Sequence, residues 1–407
     1  MPSKLKGDRI VMPVHSTDPS GNNAGEFYYN SSTQTLKYND GNGWKNVNVI
    51  NPIIDSVSGA VLTGQPGNVT ITGTSFGSGL GTATFIIGGN QYDVSVNPTS
   101  STSATIPVPS SVYNQSAGTS FSIKFANSDG GTSTAVSGGT VAGLPSGGTI
   151  TTAGNYRVHT FTSSGTFSIQ GGFNPNIEFV VVGGGGSGGG ASIHSVGFEA
   201  GGGGAGGHLE GTTSSSTGSY SITVGAGAGG GSNGGNSSAL GYTAIGGGAG
   251  GGNPTATTRG ANGGSGGGNG YNDGGAGGSG TAGQGNDGGR GISSGHTPGD
   301  SSNRGGGGGG AGEAGNYRNS SFGETWGGNG KAWSDGVTRA GGGGGGNQTI
   351  GNNGGSGGGG RGGQGLNSNN ETAGSTNTGG GGGGAYSSSG RYGATGGSGI
   401  VIIKYQV

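Results

Sequence analysis

The sequence predicts an all-β chain, modular and elongated, whose last part is a bundle of polyglycine type II helices clamped by strands. Three observations carry this expectation. Up to about residue 145, short runs of β-branched and aromatic residues recur between Gly, Asn, Ser and Pro clusters. Glycine supplies 116 of the 407 residues and is concentrated after residue 150, while the apolar set makes up only 26%. Strong β-formers flank that glycine mass on both sides, at 177–182 and again at 400–405.

With so few apolar side chains, cores cannot fill the whole length. Part of the chain must either stay disordered or fold mainly through its backbone hydrogen bonds. Sixteen basic residues against seventeen acidic ones give a net charge of -1, and no stretch concentrates one sign. Nucleic acid and anionic membrane, which both need a basic patch, are therefore not expected as partners. No cysteine is present, so neither a disulfide framework nor a thiolate metal site can form. Between Met1 and Val14 there is no apolar core of signal-peptide length, and no later run approaches membrane-spanning length. That pattern is expected of a virion protein released by lysis, without membrane insertion.

The first module is expected over 1–50. Gly25-Glu26-Phe27-Tyr28-Tyr29-Asn30 and Thr35-Leu36-Lys37-Tyr38-Asn39 read as strands, followed by Asp40-Gly41 and Gly43-Trp44-Lys45-Asn46-Val47. The arrangement is a small β-meander. With its paired tyrosines and its Tyr-Asn-Asp-Gly ending before Trp44, it resembles the short hairpin module of phage tail-fibre and virion structural proteins. The resemblance implies attachment to other virion proteins through this end.

The second module is expected over 51–145. Six short strands, at 52–57, 68–72, 83–87, 92–96, 104–109 and 121–125, are separated by turn-forming clusters. Such spacing implies an antiparallel sandwich of immunoglobulin type. The opening Pro52 with Ile53 and Ile54, the run from Val69 to Gly77, Ile87-Gly88-Gly89, the prolines at 107 and 109, and Ala126-Asn127-Ser128-Asp129-Gly130-Gly131 resemble the IPT/TIG family. The resemblance implies a binding or spacer module, since that family shares no catalytic site.

Leu144-Pro145-Ser146-Gly147-Gly148 reads as a short linker into a third module, expected over 146–407. Strands at 156–161, 165–169, 177–182 and 218–225 come early, and the run from Gly399 to Tyr405 closes the chain. The last strand is expected to return beside the first and clamp what lies between. Glycine runs at 183–190, 201–207, 225–231, 246–252, 263–270, 305–310, 341–346, 354–365 and 379–384 alternate with polar insertions. An extended threefold helix makes no internal hydrogen bonds, so each N–H and C=O is free to pair with a neighbour. Only glycine allows close approach on every side. Collagen is excluded, because glycine does not recur strictly every third residue. A disordered linker would need no closing strand, and an ice-binding or silk-like bundle would show a regular Thr or Ala face. The third module resembles the glycine-rich phage adhesins, which implies variable loops at the tip of a helix sandwich, on the architecture alone.

Catalysis finds little support. None of His15, His159, His194, His208 and His296 belongs to an i, i+4 pair or a nucleophile motif, so neither a metal, a cofactor nor an enzymatic activity is expected. Nothing sets Glu313, Glu324 or Asp335 at a glycosidase separation. Recognition has more to point at, because aromatics and arginines fall in the polar insertions: Tyr271, Tyr317, Arg318, Phe322, Trp326, Trp333, Arg339, Tyr386, Arg391 and Tyr392. Exposed rings stack on sugars or fill protein pockets, and arginine forks bind carboxylates. For Trp326 and Trp333 the sequence leaves open whether they recognise a partner or plug the ends of the bundle. The function expected is that of a bacteriophage tail fibre or adhesin binding a host glycan or outer-membrane protein, as a homotrimer on the virion surface. The alternatives are a head decoration or tail spacer without a receptor, and a bacterial surface adhesin.

Overall fold

In the computed structural model, residues 12–20, 23–33, 35–47, 50–170, 173–190, 198–252, 259–271, 275–292, 303–316, 324–348, 351–365, 370–387 and 391–407 are described. Strands and extended segments account for nearly all of them, and the chain divides into two units. The first unit is Met1–Leu144 with Gln170–Phe173, and the second is Pro145–Ile169 with Asn174–Val407.

The first unit opens with a sheet in the order β1 (Val14–His15), β2 (Phe27–Asn30), β3 (Thr35–Asn39), β4 (Trp44–Asn46). Alternation in β2 turns Tyr28 inward, where its ring meets Trp44 edge-on at 4.7 Å and its hydroxyl donates to the Asp18 carboxylate. Lys37 pairs with the same carboxylate at 2.6 Å. Two further sheets follow. β5 (Ile53–Ser58), β6 (Asn68–Thr74) and β9 (Ser103–Pro107) form one, in the order β5-β6-β9. β7 (Gly81–Ile87), β8 (Asn90–Val96), β10 (Ser120–Ala126) and β11 (Val136–Thr140) form the other, in the order β11-β10-β7-β8. A helical turn, α1 (Ser110–Tyr113), follows β9. Val69 and Ile71 of β6 and Ala104 and Ile106 of β9 share one buried cluster with Ala83, Phe85, Phe121, Ile123 and Phe125 of the second sheet. Two sheets closing on one apolar layer make a sandwich.

The second unit contains β12 (Thr149–Ala153), β13 (Tyr156–Phe161), β14 (Gly165–Ile169), β15 (Asn176–Val182), β16 (Phe198–Glu199), β17 (His208–Ser214), β18 (Gly218–Ile222), β19 (Ser237–Ala239), β20 (Tyr242–Ala244), β21 (Lys331–Ala332), β22 (Thr338–Arg339), β23 (Tyr386–Ser387) and β24 (Ile400–Gln406). Its main sheet has the order β12-β13-β24-β15-β17, so the final strand lies between β13 and β15. Register sets Val180 opposite Ile402 and Val182 opposite Ile400. On that face Val180, Val182, Ile400 and Ile402 pack with Trp333, Ala205 and Ala340. Inward strands rich in Val and Ile are what a sheet buried on both faces requires.

Beyond the sheet, the glycine segments bond in a strict rhythm. Backbone N–H groups of Gly183, Gly186 and Gly189 donate to Gly207, Gly204 and Gly201 at 2.9 Å. Those of Gly184 and Ser187 donate to Gly235 and Ser232, and those of Gly185 and Gly188 to Gly397 and Ala394. Each neighbour is met again every third residue, which is the period of a threefold helix. Residues 201–207 keep negative φ, as the left-handed form of that helix requires.

Residues 200–207 sit at the centre. Gly201, Gly204 and Gly207 donate to 245–251, Gly202 and Ala205 to 306–309, and Gly203 and Gly206 to 379–382. Their carbonyls accept from 183–189, from Ser265 and Gly268, and from Gly343 and Gly346. Six segments thus surround this one among the described residues, and the packing leaves no room for side chains. A Cβ at Gly203 would stand 2.2 Å from the Gly186 carbonyl oxygen, and one at Gly202 2.1 Å from that of Gly343. Ala205 is accommodated because it packs into the apolar cluster over the sheet.

Candidate recognition surface

The bundle has two distinct ends. Gly183 follows β15 and Gly207 precedes β17, so their mutual hydrogen bond marks the sheet end. The bond from Gly189 to Gly201 marks the far end, and Gly201 to Gly251, Gly346 to Ala200 and Ala200 to Ala385 lie at the same level. There the Tyr271 N–H donates to Glu199, β16 pairs with β23, and bridges join Ile292 to Arg304, Arg304 to Asn347 and Asn347 to Gln364. The residues flanking 191–197, 253–258, 272–274, 293–302, 317–323, 349–350, 366–369 and 388–390 all fall in this far half. At the sheet end, by contrast, the connections are tight turns such as 281–284, 356–358 and the β21–β22 hairpin.

At the far end Tyr271 is half-buried against Ala385. Tyr386 is buried beside it in β23. Both hydroxyls are pushed up, first by burial and then by the nearby Glu199 carboxylate. Glu199 is 2% exposed, and its Oε2 has no hydrogen-bond partner among the described residues. Burial raises this carboxyl to about 8. Arg391 Nη2 donates to Glu371 Oε1 at 2.6 Å, so its charge is already paired, while the neighbouring Tyr392 is 52% exposed. Tyr317, Arg318 and Phe322 lie outside the described residues.

Trp326 stands on the flank in the same half, where its carbonyl accepts from Asn316 N–H at 2.9 Å. Trp326 is 41% exposed and borders a cavity of about 300 Å³ lined by Glu313, Asn316, Asn329 and the backbone of Gly327, Gly328 and Gly354.

Three residues of the expected recognition set are buried. Trp333 is 8% exposed at the sheet end, where it covers Val180, Val182, Ile400 and Ile402 and receives the Lys404 ammonium 5.3 Å from its ring centroid. Of the two roles open to it, the apolar plug is the one it occupies. Arg339 is buried in the same hairpin and held by Asp335 through two hydrogen bonds, at 3.1 and 2.7 Å. Tyr386 is buried at the far end, its backbone pairing with Glu199. For Trp333 an apolar cluster, and for Arg339 a carboxylate, takes up the side chain inside the same unit.

Sequence reasoning passed over two buried ionisable groups. One is Glu199, which precedes the central glycine run. The other is His208, which ends it, and whose two ring nitrogens have no partner among the described residues. Burial, with help from Lys331 and Arg339 and against Glu210, lowers His208 to about 4. Their only signal in the chain is an ionisable residue abutting a glycine run. Among the described residues there is no group of three or more His, Asp or Glu suited to a metal.

A family model described as a glycine-rich domain matches residues 160–406. No curated protein and no solved structure matches the chain.

Proposed function

The chain belongs to the glycine-rich domain family, and from that premise we propose that it is a non-catalytic recognition protein, a bacteriophage tail fibre or adhesin that binds a host surface receptor. The observation that carries this reading is the asymmetry of the bundle. One end is sealed by a sheet and tight turns, and the connections at the other end follow segments held chiefly by main-chain bonds. Residues that project from such a lattice are positioned by it without having to stabilise it. Loops on a rigid scaffold are the usual place for binding residues. The N-terminal sheet with Tyr28 and Trp44 would then join the protein to other virion components, and the sandwich, read as an IPT/TIG module, would act as a spacer. Assembly as a homotrimer on the virion belongs to the same proposal.

The test replaces Tyr317, Arg318, Phe322 and Tyr392 together with alanine and measures adsorption of particles to cells. Loss of adsorption, with amide protection at 183–190 and 198–252 intact, is the expected result. Unchanged adsorption would favour a head decoration or tail spacer.

A further inference from the structure

Trp326 is exposed beside polar groups that are held in place before any ligand arrives. Ser356 donates from both its backbone N–H and its hydroxyl to Asn329 Oδ1, each at 2.9 Å. Asn329 Nδ2 in turn donates to Glu313 Oε2 at 2.8 Å. The chain of contacts fixes the Glu313 carboxylate and leaves its second oxygen open. Ala314, Gly327 and Gly354 line the same cavity, and their backbone carbonyls accept no hydrogen bond among the described residues. Asn316, an exposed residue of the lining, carries an amide that can add donors.

The chemistry of this lining selects its occupant. The Glu313 carboxylate and the backbone of Ala314, Gly327 and Gly354 make the cavity rich in acceptors, and among the described residues no Lys or Arg lines it. Phosphate, sulfate and acidic sugars are thereby disfavoured. A single indole is a platform, whereas an ammonium group is usually caged by several rings. What remains is a neutral ring with one apolar face and a rim of hydroxyls, which donates to carboxylate and carbonyls and accepts from an amide. A volume of about 300 Å³ suits one such ring. We infer that the Trp326 cavity is a subsite for a neutral hexose, stacked on the indole and hydrogen-bonded through Glu313 and Asn316. The inference rests on the reading of this protein as a receptor-binding one, and it names neutral glycan as the class of receptor.

The test uses the full chain. Methyl α-glucopyranoside, methyl α-mannopyranoside and methyl β-galactopyranoside are titrated while the Trp326 indole N–H is followed by NMR, with N-acetylneuraminic acid and choline as charged controls. At least one glycoside should bind saturably, with a Kd on the order of 1–10 mM. Trp326→Ala should weaken it by about tenfold or more, Trp326→Phe should restore part of the loss, and Glu313→Gln should weaken it by about fivefold. Both side chains are at the surface, so amide protection of the bundle should be unchanged in all three variants. The subsite is overturned if no glycoside saturates, if choline or the acidic sugar binds in preference, or if Trp326→Ala binds as the parent does. A failed titration alongside lost adsorption in the loop variant removes this subsite and leaves far-end recognition standing. Intact adsorption in that variant removes the wider reading instead.

Discussion

His159 and Tyr405, 246 residues apart in the chain, stack at 5.6 Å, and the ring Nε2 lies 3.0 Å from the tyrosine oxygen. His159 Nδ1 is 2.7 Å from the Gly147 carbonyl, which can only accept, so the proton sits on Nδ1 and the Tyr405 hydroxyl donates to Nε2. Burial lowers the imidazole, keeping it neutral for this arrangement, and pushes the phenol up. One hydrogen bond therefore ties the first strands of the second unit to its last. Tyr405→Phe should cost about 1–3 kcal/mol, the penalty of leaving a buried acceptor without its donor, seen as a lower midpoint in denaturant unfolding. A midpoint equal to that of the parent would contradict it.

Glycine at the centre of the bundle should tolerate no methyl group. Gly203→Ala would drive a carbon to 2.2 Å from a carbonyl oxygen, and the backbone that would have to yield is bonded on all sides. The expected outcome is loss of slow amide exchange across 183–190 and 198–252, with the sandwich of the first unit unaffected. Gly165→Ala is the control, since the nearest atom to its new carbon is 3.8 Å away. Rapid exchange at 183–190 and 198–252 in the parent protein itself would refute the bundle.

Two buried groups should shape the pH dependence of stability in opposite senses. Glu199 is raised from 4.5 to about 8, so between those values the folded chain holds a proton that the unfolded chain has released. Its contribution is full below about pH 4.5 and is lost as pH rises through 8. His208 is lowered from 6.5 to about 4, so its contribution is present above pH 6.5 and lost as pH falls through 4. Thermal melts of Glu199→Gln should flatten the alkaline limb, and those of His208→Gln the acid limb. An unchanged profile in either variant would exclude that group as the cause.

Removing the apolar plug should weaken the clamp. Trp333→Ala uncovers Val180, Val182, Ile400 and Ile402, and a buried tryptophan lost in this way costs about 3–5 kcal/mol. Calorimetry should show the second unit melting earlier and the first unit at its usual temperature.

The clamp was legible in the chain because Val180, Val182, Ile400 and Ile402 are strong β-formers set apart from everything between them. The glycine runs were legible as helices for the same compositional reason. Segments such as 286–292 and 324–330 were not, because only their inward positions need glycine and their outward ones carry Asp287, Arg290 and Trp326. The exposure of each candidate aromatic was equally hidden. Trp326 and Trp333 are seven positions apart in similar surroundings, yet one follows a bundle segment on the flank and the other enters a hairpin over the sheet. That difference is set by which segment neighbours which, and chains without side chains encode it weakly.

The period-three lattice has an evolutionary consequence. A bond between two peptide groups is indifferent to what the chain does a few residues later, so the connections at the far end can lengthen, shorten or be exchanged while each helix keeps its partners. Variation in the connections and persistence of the scaffold are thereby uncoupled. A lineage of such proteins could change its connections without relearning how to fold.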